Sequence, residues 1–141
     1  GVELISTSTA ESPTNAMPIL DPEVLRSMAE FGGASNDLME RIIGLFRDHA
    51  PVALDGVLSA VEVGDPTLIA SAAHALKSMC RNIGALELGH HLHDIEEAAA
   101  IHSSMPDGGR VDRMKRLFIA TVDAIGEFEG QHVKSDEPVA A

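Results

Sequence analysis

Residues 73–84 read AHALKSMCRNIG, and they combine the pattern of a buried helix with a line of polar side chains. A helix places residues three, four and seven positions apart on one face. The polar residues at these offsets are His74, Lys77, Ser78 and Arg81. Apolar residues fill the opposite side at helical spacing: Leu68, Ala72, Leu76, Met79 and Ile83. The pattern predicts that His74 faces solvent among positive charges, an arrangement that suits receiving and holding a phosphoryl group.

Turn and capping signals on both sides of this stretch divide the chain into helices. Two Asp-Pro pairs each supply a capping residue followed by proline in the first helical position, and glycines mark helix ends. The predicted helices run from Asp21-Pro22 to Gly32-Gly33, from Ser35 through Val61, from Gly64-Asp65-Pro66 to near Gly84, from Leu86 to about His102, and onward from Arg110. Pro51 is expected to kink or divide the second of them.

This organisation predicts an all-α fold, most simply a four-helix antiparallel bundle with a short additional N-terminal helix. No segment alternates as a strand would, and the chain contains only 4 Phe and no Trp or Tyr. Residues 18–131 are expected to form the bundle, residues 1–17 a flexible linker or a remnant of expression, and residues 132–141 a disordered acidic tail. The single cysteine, Cys80, excludes an internal disulfide and is expected to be a small core or boundary residue.

The charge balance narrows the classes of partner. The chain has 22 acidic and 10 basic residues, for a net charge of −12, which repels phosphate backbones and argues against a nucleic-acid partner. No apolar stretch approaches the ~18 residues of a membrane span, and no basic segment with an apolar core opens the chain. We therefore expect a soluble, cytoplasmic protein without membrane insertion.

The stretch around His74 resembles the histidine-containing phosphotransfer (HPt) domains of multistep phosphorelays. Their usual signature, H-x-x-K-G followed by small residues and Gly-Ala, has its counterpart here in His74-Ala-Leu-Lys77-Ser78 and then Gly84-Ala85. The next helix matches the family's apolar and acidic pattern at Leu88, Leu92, Ile95 and Glu96. The resemblance covers roughly residues 18–130, and Ser78 stands where the family usually has glycine.

The resemblance implies a role for each residue of the motif. His74 would accept phosphate on Nε2 from a receiver-domain aspartate, and Lys77 would neutralise charge on the transferring group. Glu96 would hydrogen-bond the other imidazole nitrogen, and His93 matches a second histidine found in the related domain of chemotaxis kinases. Ser78 and Arg81 would bind the partner, and the small side chain of Ser78 would let it approach closely.

The partners implied are receiver domains of response regulators or of a hybrid sensor kinase, with Mg²⁺ supplied by the receiver. The chain itself is expected to be a monomer without a cofactor. It is also expected to have no enzymatic activity of its own, because it lacks a glycine-rich phosphate loop and a strand to carry one. It could be a free-standing protein or the C-terminal domain of a hybrid kinase, and the sequence does not name its receivers or the direction of phosphate flow.

Two alternatives come from other classes of protein. Acidic and histidine side chains crowd one predicted helix and could bind a metal: Glu87, His90, His91, His93, Glu96 and Glu97. Glu87 and His90 copy one half of a di-iron motif, but the only second copy, Glu129-Gly-Gln-His132, lies where the last helix is expected to fray. A purely structural four-helix adaptor would leave the lysine-flanked His74 unexplained.

Overall fold

Five helices make up the part of the chain that the computed structural model describes, residues 17–31 and 37–136. They are α1 (Pro22–Phe31), α2 (Asp37–Val63), α3 (Pro66–Ile83), α4 (Leu86–His102) and α5 (Gly108–Asp136). No strand occurs within these residues, so the all-α prediction is confirmed. The predicted linker before Met17 and the predicted cap at Ser35 lie outside the described residues. Helix α5 continues to Asp136, inside the predicted tail, and residues 137–141 lie outside the description.

The ends of α3 follow from its capping residues. The Asp65 side chain accepts a hydrogen bond from the Thr67 amide at 3.0 Å, and Pro66 occupies the first turn, where its missing N–H costs nothing. At the other end Gly84 adopts φ 80° and ψ 23°, a left-handed conformation that favours glycine. The Ala85 amide then donates to the Cys80 carbonyl at 2.8 Å. The predicted start and end of this helix are therefore confirmed.

The order of the contacts shows that neighbouring helices run antiparallel. Going forward along α3 from His74 to Lys77, the partner on α4 moves backward from Glu96 to His93. The same reversal relates α4 to α5, where the partner of Glu87 is Arg113, and His91 contacts Arg110. Short connections and reversed contacts give the up-and-down bundle that the sequence predicted.

The segment before α1 is fastened to the turn between α3 and α4. The Asp21 amide donates to the Gly84 carbonyl at 2.8 Å, and the Leu86 amide donates to the Ile19 carbonyl at 3.0 Å. Leu25 of α1 is fully buried in the core. A side chain at position 84 would collide with the first turn of α1, because an added Cβ would lie 2.9 Å from Cβ of Val24 and 3.1 Å from the Asp21 carbonyl oxygen.

The core consists of aliphatic side chains from all five helices of the described part. The largest of those that are fully buried include Leu25, Ile43, Val57, Ile69, Leu76, Ile83, Leu88, Leu92, Ile95, Met114 and Ile125. Phe46 and Phe118 stack with ring centroids 6.3 Å apart and join α2 to α5. Cys80 is also buried, as predicted, and burial raises the pKa of its thiol to about 12.

One detail of the predicted helices is wrong, and of the two outcomes expected at Pro51, a kink or a division, the division does not occur. Leu68 was assigned to the core face of α3, but it is 48% exposed, and Ile69 and Ala73 are buried instead. The buried face of α3 is thus turned by about one position from the predicted one. Pro51 does not divide its helix, since α2 continues to Val63. Pro51 lies on the exposed side, where water can solvate the carbonyl group that loses its hydrogen bond.

No helix within residues 17–31 and 37–136 has both the length and the apolar character to span a bilayer.

Candidate functional site

His74 lies on the outer face of α3 with its side chain 60% exposed. The prediction that it faces solvent is confirmed. Helix α3 is rigidly placed by its two caps and by the buried side chains on its opposite face, so the imidazole is mounted on a fixed support. The exposed imidazole is therefore open to approach by another molecule.

Glu96 of α4 forms a hydrogen bond with one nitrogen of this imidazole. Its Oε2 atom lies 2.9 Å from Nδ1 of His74. A carboxylate can only accept a hydrogen bond, so Nδ1 carries the proton and donates, and the neutral ring then keeps a free lone pair on Nε2. The contact therefore selects the tautomer in which Nε2, the nitrogen remote from α4, carries the free lone pair.

Lys77 does not belong to the exposed stripe. It is only 6% exposed, because its side chain turns inward to the seam between α3 and α4. Its Nζ atom lies 2.7 Å from Oε1 of Glu96 and 3.4 Å from Nδ1 of His93. The sequence prediction that this residue stands beside His74 on the outer face is wrong. The position does carry a signal of burial, since it lies four residues after Ala73 and three before Cys80, both of which are buried.

Lys77 and His74 stabilise the ionised form of the Glu96 carboxylate. Burial by itself raises the pKa of Glu96, but Lys77 and His74 outweigh it through hydrogen bonding and charge and hold the pKa below its ordinary value. Its Oε1 atom is buried, and the ammonium of Lys77 lies 2.7 Å from it. The positive charge of Lys77 is what compensates this oxygen.

His93 completes the group of four side chains. An ammonium can only donate, so Nδ1 of His93 accepts from Lys77 and the proton of the neutral ring is on Nε2. The structure thus brings together His74, Lys77, His93 and Glu96, all four of which the sequence singled out. We name these four side chains the His74 network.

Ser78 and Arg81 lie on the exposed face of α3, one and two turns beyond His74. Their offsets of four and seven residues place them in line with the imidazole, as predicted. The outer face of α3 therefore presents an imidazole, a small hydroxyl side chain and a guanidinium. The lysine of the predicted stripe is missing from it.

The alternative metal site is not formed in the described part of the chain. Glu87 pairs with Arg113 at 2.8 Å, while Nε2 of the buried His91 donates to the Arg110 carbonyl at 2.9 Å. His90 is 61% exposed, and its nearest acidic partner is Asp94, 3.9 Å away. No group of three or more His, Cys, Asp or Glu side chains there is arranged to hold a metal ion. The sequence analysis missed the contact between His91 and the backbone of α5, for which the residue pattern carries no signal.

Comparison with known proteins assigns the chain to a family. Residues 41–126 match the family model of the Hpt domain. The fold resembles the crystal structure of histidine-containing phosphotransfer protein B (HptB) from Pseudomonas aeruginosa PAO1, with a TM-score of 0.72 and 22% sequence identity over 82% of this chain and 98% of that one. No curated protein sequence matches this chain significantly. Because the family match covers more than half of the chain, the protein belongs to the Hpt domain family, whose members transfer phosphoryl groups on histidine in phosphorelays.

Proposed function

We propose that Nε2 of His74 accepts a phosphoryl group from the phosphoaspartate of one receiver domain and passes it to the aspartate of another. The observation that carries this proposal is the 2.9 Å contact between Nδ1 of the exposed His74 and Glu96. It leaves Nε2 unprotonated and accessible, which a histidine nucleophile requires. Neutral imidazole is abundant near pH 7, since its reference pKa is about 6.5.

In the transfer step, a bond forms between Nε2 and phosphorus while the bond between phosphorus and the aspartate oxygen breaks. The aspartate leaves as a carboxylate, and the proton on Nδ1 stays in place. The imidazole gains positive charge as it is phosphorylated, and the carboxylate of Glu96 stabilises that charge. Phosphoryl transfer needs an in-line nucleophile and fixed charges more than covalent machinery, so a single positioned histidine is enough on this side of the complex.

Lys77 acts in this proposal through Glu96. Because its ammonium is buried 2.7 Å from Oε1, it holds the carboxylate ionised and in place. The phosphoryl charge would be neutralised by Mg²⁺ and basic groups of the receiver, while Arg81, two turns along α3 from His74, would contact the receiver. Ser78 leaves room beside the imidazole for the loops of the receiver. The chain thus serves as a phosphocarrier for its partners.

The experiment is transfer of radiolabelled phosphate from a phosphorylated receiver domain to the full chain. We expect label on the wild-type protein that is lost in acid and retained in alkali, as is typical of phosphohistidine. His74→Gln should accept no label and should keep the helical content and melting temperature of the wild type, because the side chain is exposed.

His49→Gln is the matched control, since His49 is an exposed histidine on α2 outside the His74 network. It should accept label at the wild-type rate. Label on His74→Gln, or its loss from His49→Gln with the fold intact, would show that the acceptor is a different residue.

A further inference from the structure

A cavity of about 350 Å³ opens where α1 meets the turn between α3 and α4. Its walls are small or apolar and include Val24, Cys80, Gly84 and Gly89. The absence of side chains at the two glycines is what leaves the space open. A volume of this size lies within the range of sites that enclose small molecules.

Three nitrogen-bearing residues line this cavity: Arg81, His90 and His93. The guanidinium of Arg81 forms no ion pair with any described residue, so its charge is available. His93 uses Nδ1 to accept from Lys77, which leaves Nε2–H as its remaining donor. None of the residues lining the cavity is acidic, although the chain as a whole carries a net charge of −12.

A second depression of about 370 Å³ lies between α2 and α3 and provides a comparison. It is lined by Gly56, Leu68, Ala75 and other uncharged residues, with no ionisable side chain among them. Nothing there would fix the orientation or the charge of a ligand. The two spaces are therefore similar in size but differ in the chemistry that gives selectivity.

We propose that the cavity beside α1 binds a small carboxylate with a compact apolar body. The apolar part would displace water from the walls at Val24, Cys80 and Gly89, and the carboxylate would accept hydrogen bonds from Arg81 and from Nε2–H of His93. Guanidinium groups suit carboxylates because their paired N–H groups match the two oxygens. The proposal does not rest on phosphotransfer by His74, although His93 belongs to both the cavity and the His74 network and Arg81 lies on the same face of α3 as His74.

The test is an NMR titration of the full chain with benzoate, compared with the uncharged benzamide. We expect benzoate to bind with a dissociation constant on the order of 1 mM, as befits so small a ligand. The side-chain nitrogens of His93 and the amides of residues 80–90 should shift most. Benzamide should bind roughly five-fold more weakly, the scale of one partly exposed charge pair.

Two pairs of variants test separately how the charge of Arg81 and the shape of the cavity contribute to ligand binding. Arg81→Gln should remove the preference for benzoate, whereas Arg116→Gln, an exposed arginine of α5 away from the cavity, should keep it. Gly89→Ala should weaken both ligands, because the new Cβ fits 3.5 Å from Cβ of Cys80 and narrows the cavity. Gly56→Ala, in the α2–α3 depression with nothing within 4 Å of its Cβ, should weaken neither.

Equal binding of benzoate and benzamide, an unchanged preference in Arg81→Gln, or shifts that cluster at Gly56 and Leu68 would each overturn the proposal. The readout is binding, so the result does not depend on whether His74 accepts phosphate.

Discussion

Glu96 bridges an exposed imidazole and a buried ammonium, with Oε2 at 2.9 Å from Nδ1 of His74 and Oε1 at 2.7 Å from Nζ of Lys77. The two oxygens of one carboxylate thus perform separate tasks across the seam between α3 and α4. One contacts the exposed imidazole, and the other is paired with an ammonium that solvent barely reaches. Orientation of His74 and stability of the seam are consequently coupled through a single side chain.

Replacing Glu96 should slow phosphotransfer without abolishing it. In Glu96→Ala the imidazole loses its acceptor and can populate the tautomer protonated on Nε2, so we expect transfer to slow about ten-fold or more. Glu96→Gln keeps an acceptor oxygen but loses the charge, and its rate should fall between those of the wild type and Glu96→Ala. Transfer rates from a phosphorylated receiver, together with ¹⁵N shifts of the His74 ring, measure both effects. Wild-type rates in both variants would show that Glu96 has no orienting role.

Removing the charge of Lys77 should destabilise the fold, contrary to the behaviour of a surface lysine. Lys77→Met keeps much of the bulk but leaves Oε1 of Glu96 without its compensating charge, at an expected cost of about 1–3 kcal/mol in the free energy of unfolding. Urea denaturation measures this, with the exposed Lys115→Met of α5 as the control that should change little.

The double variant Lys77→Met, Glu96→Gln provides a sharper check of that coupling. Since it removes both charges, it should recover part of the stability lost in Lys77→Met alone. Additive losses, or a Lys77→Met protein as stable as the wild type, would contradict the anchoring role.

The stability that Glu96 contributes should depend on pH in a defined direction. Burial alone would raise its pKa, but Lys77 and His74 outweigh burial and hold the pKa below the ordinary value of 4.5. A carboxyl whose pKa is lowered by folding stabilises the folded state fully above the ordinary value, and that stability is lost as the pH falls through the folded-state pKa. The unfolding free energy of the wild type should exceed that of Glu96→Gln at neutral pH, and the difference should shrink as the pH drops below 4.5. Denaturant titrations over this range measure it, and a difference independent of pH would refute the assignment.

Two glycines with the same backbone conformation should respond differently to alanine. Gly64 has φ 81° and nothing within 4 Å of an added Cβ, so Gly64→Ala should cost only the strain of the left-handed conformation, about 1 kcal/mol. Gly84 has φ 80°, and its Cβ would also collide with Val24 at 2.9 Å, so Gly84→Ala should cost about 2–4 kcal/mol. Thermal or urea denaturation of the two variants gives the difference. Equal losses would mean that the first turn of α1 moves away from position 84 without cost.

The exposed Ser78 should govern how closely a receiver approaches. Ser78→Gly should keep or improve transfer while lowering stability by about 0.5 kcal/mol through its poorer helix propensity. Ser78→Tyr should leave the fold intact and weaken receiver binding at least about ten-fold, because its ring occupies the space beside His74. Titration with the receiver alongside thermal melts measures both quantities. A tyrosine variant that binds as tightly as the wild type would place the interface on another face.

The sequence allowed the helices to be located wherever local chemistry sets their ends. Asp65 and Pro66 start α3 and Gly84 ends it because capping bonds and a left-handed glycine depend on a few neighbouring residues. The exposure of His74 also followed from helical spacing. These features require no knowledge of the tertiary structure.

The orientation of α3 about its own axis did require such knowledge. Periodicity defines the buried face only to within about one position, so Leu68 and Ile69 could not be distinguished before the neighbouring helices were placed. A lysine also counts as exposed in any sequence pattern, and Lys77 is buried only because α4 brings Glu96 and His93 to meet it. That pairing joins residues from two helices and leaves no mark on the spacing within either one.

The position of the His74 network along the chain bears on how the domain can change over evolutionary time. All four side chains lie on one helical hairpin, α3 and α4 with the turn at Gly84 and Ala85, and the bonds among them involve no described residue of α1, α2 or α5. The reactive geometry is therefore inherited as one contiguous block of sequence. Substitutions on the outer faces of α2 and α5 can accumulate, and alter surface charge and recognition, while the imidazole keeps its setting.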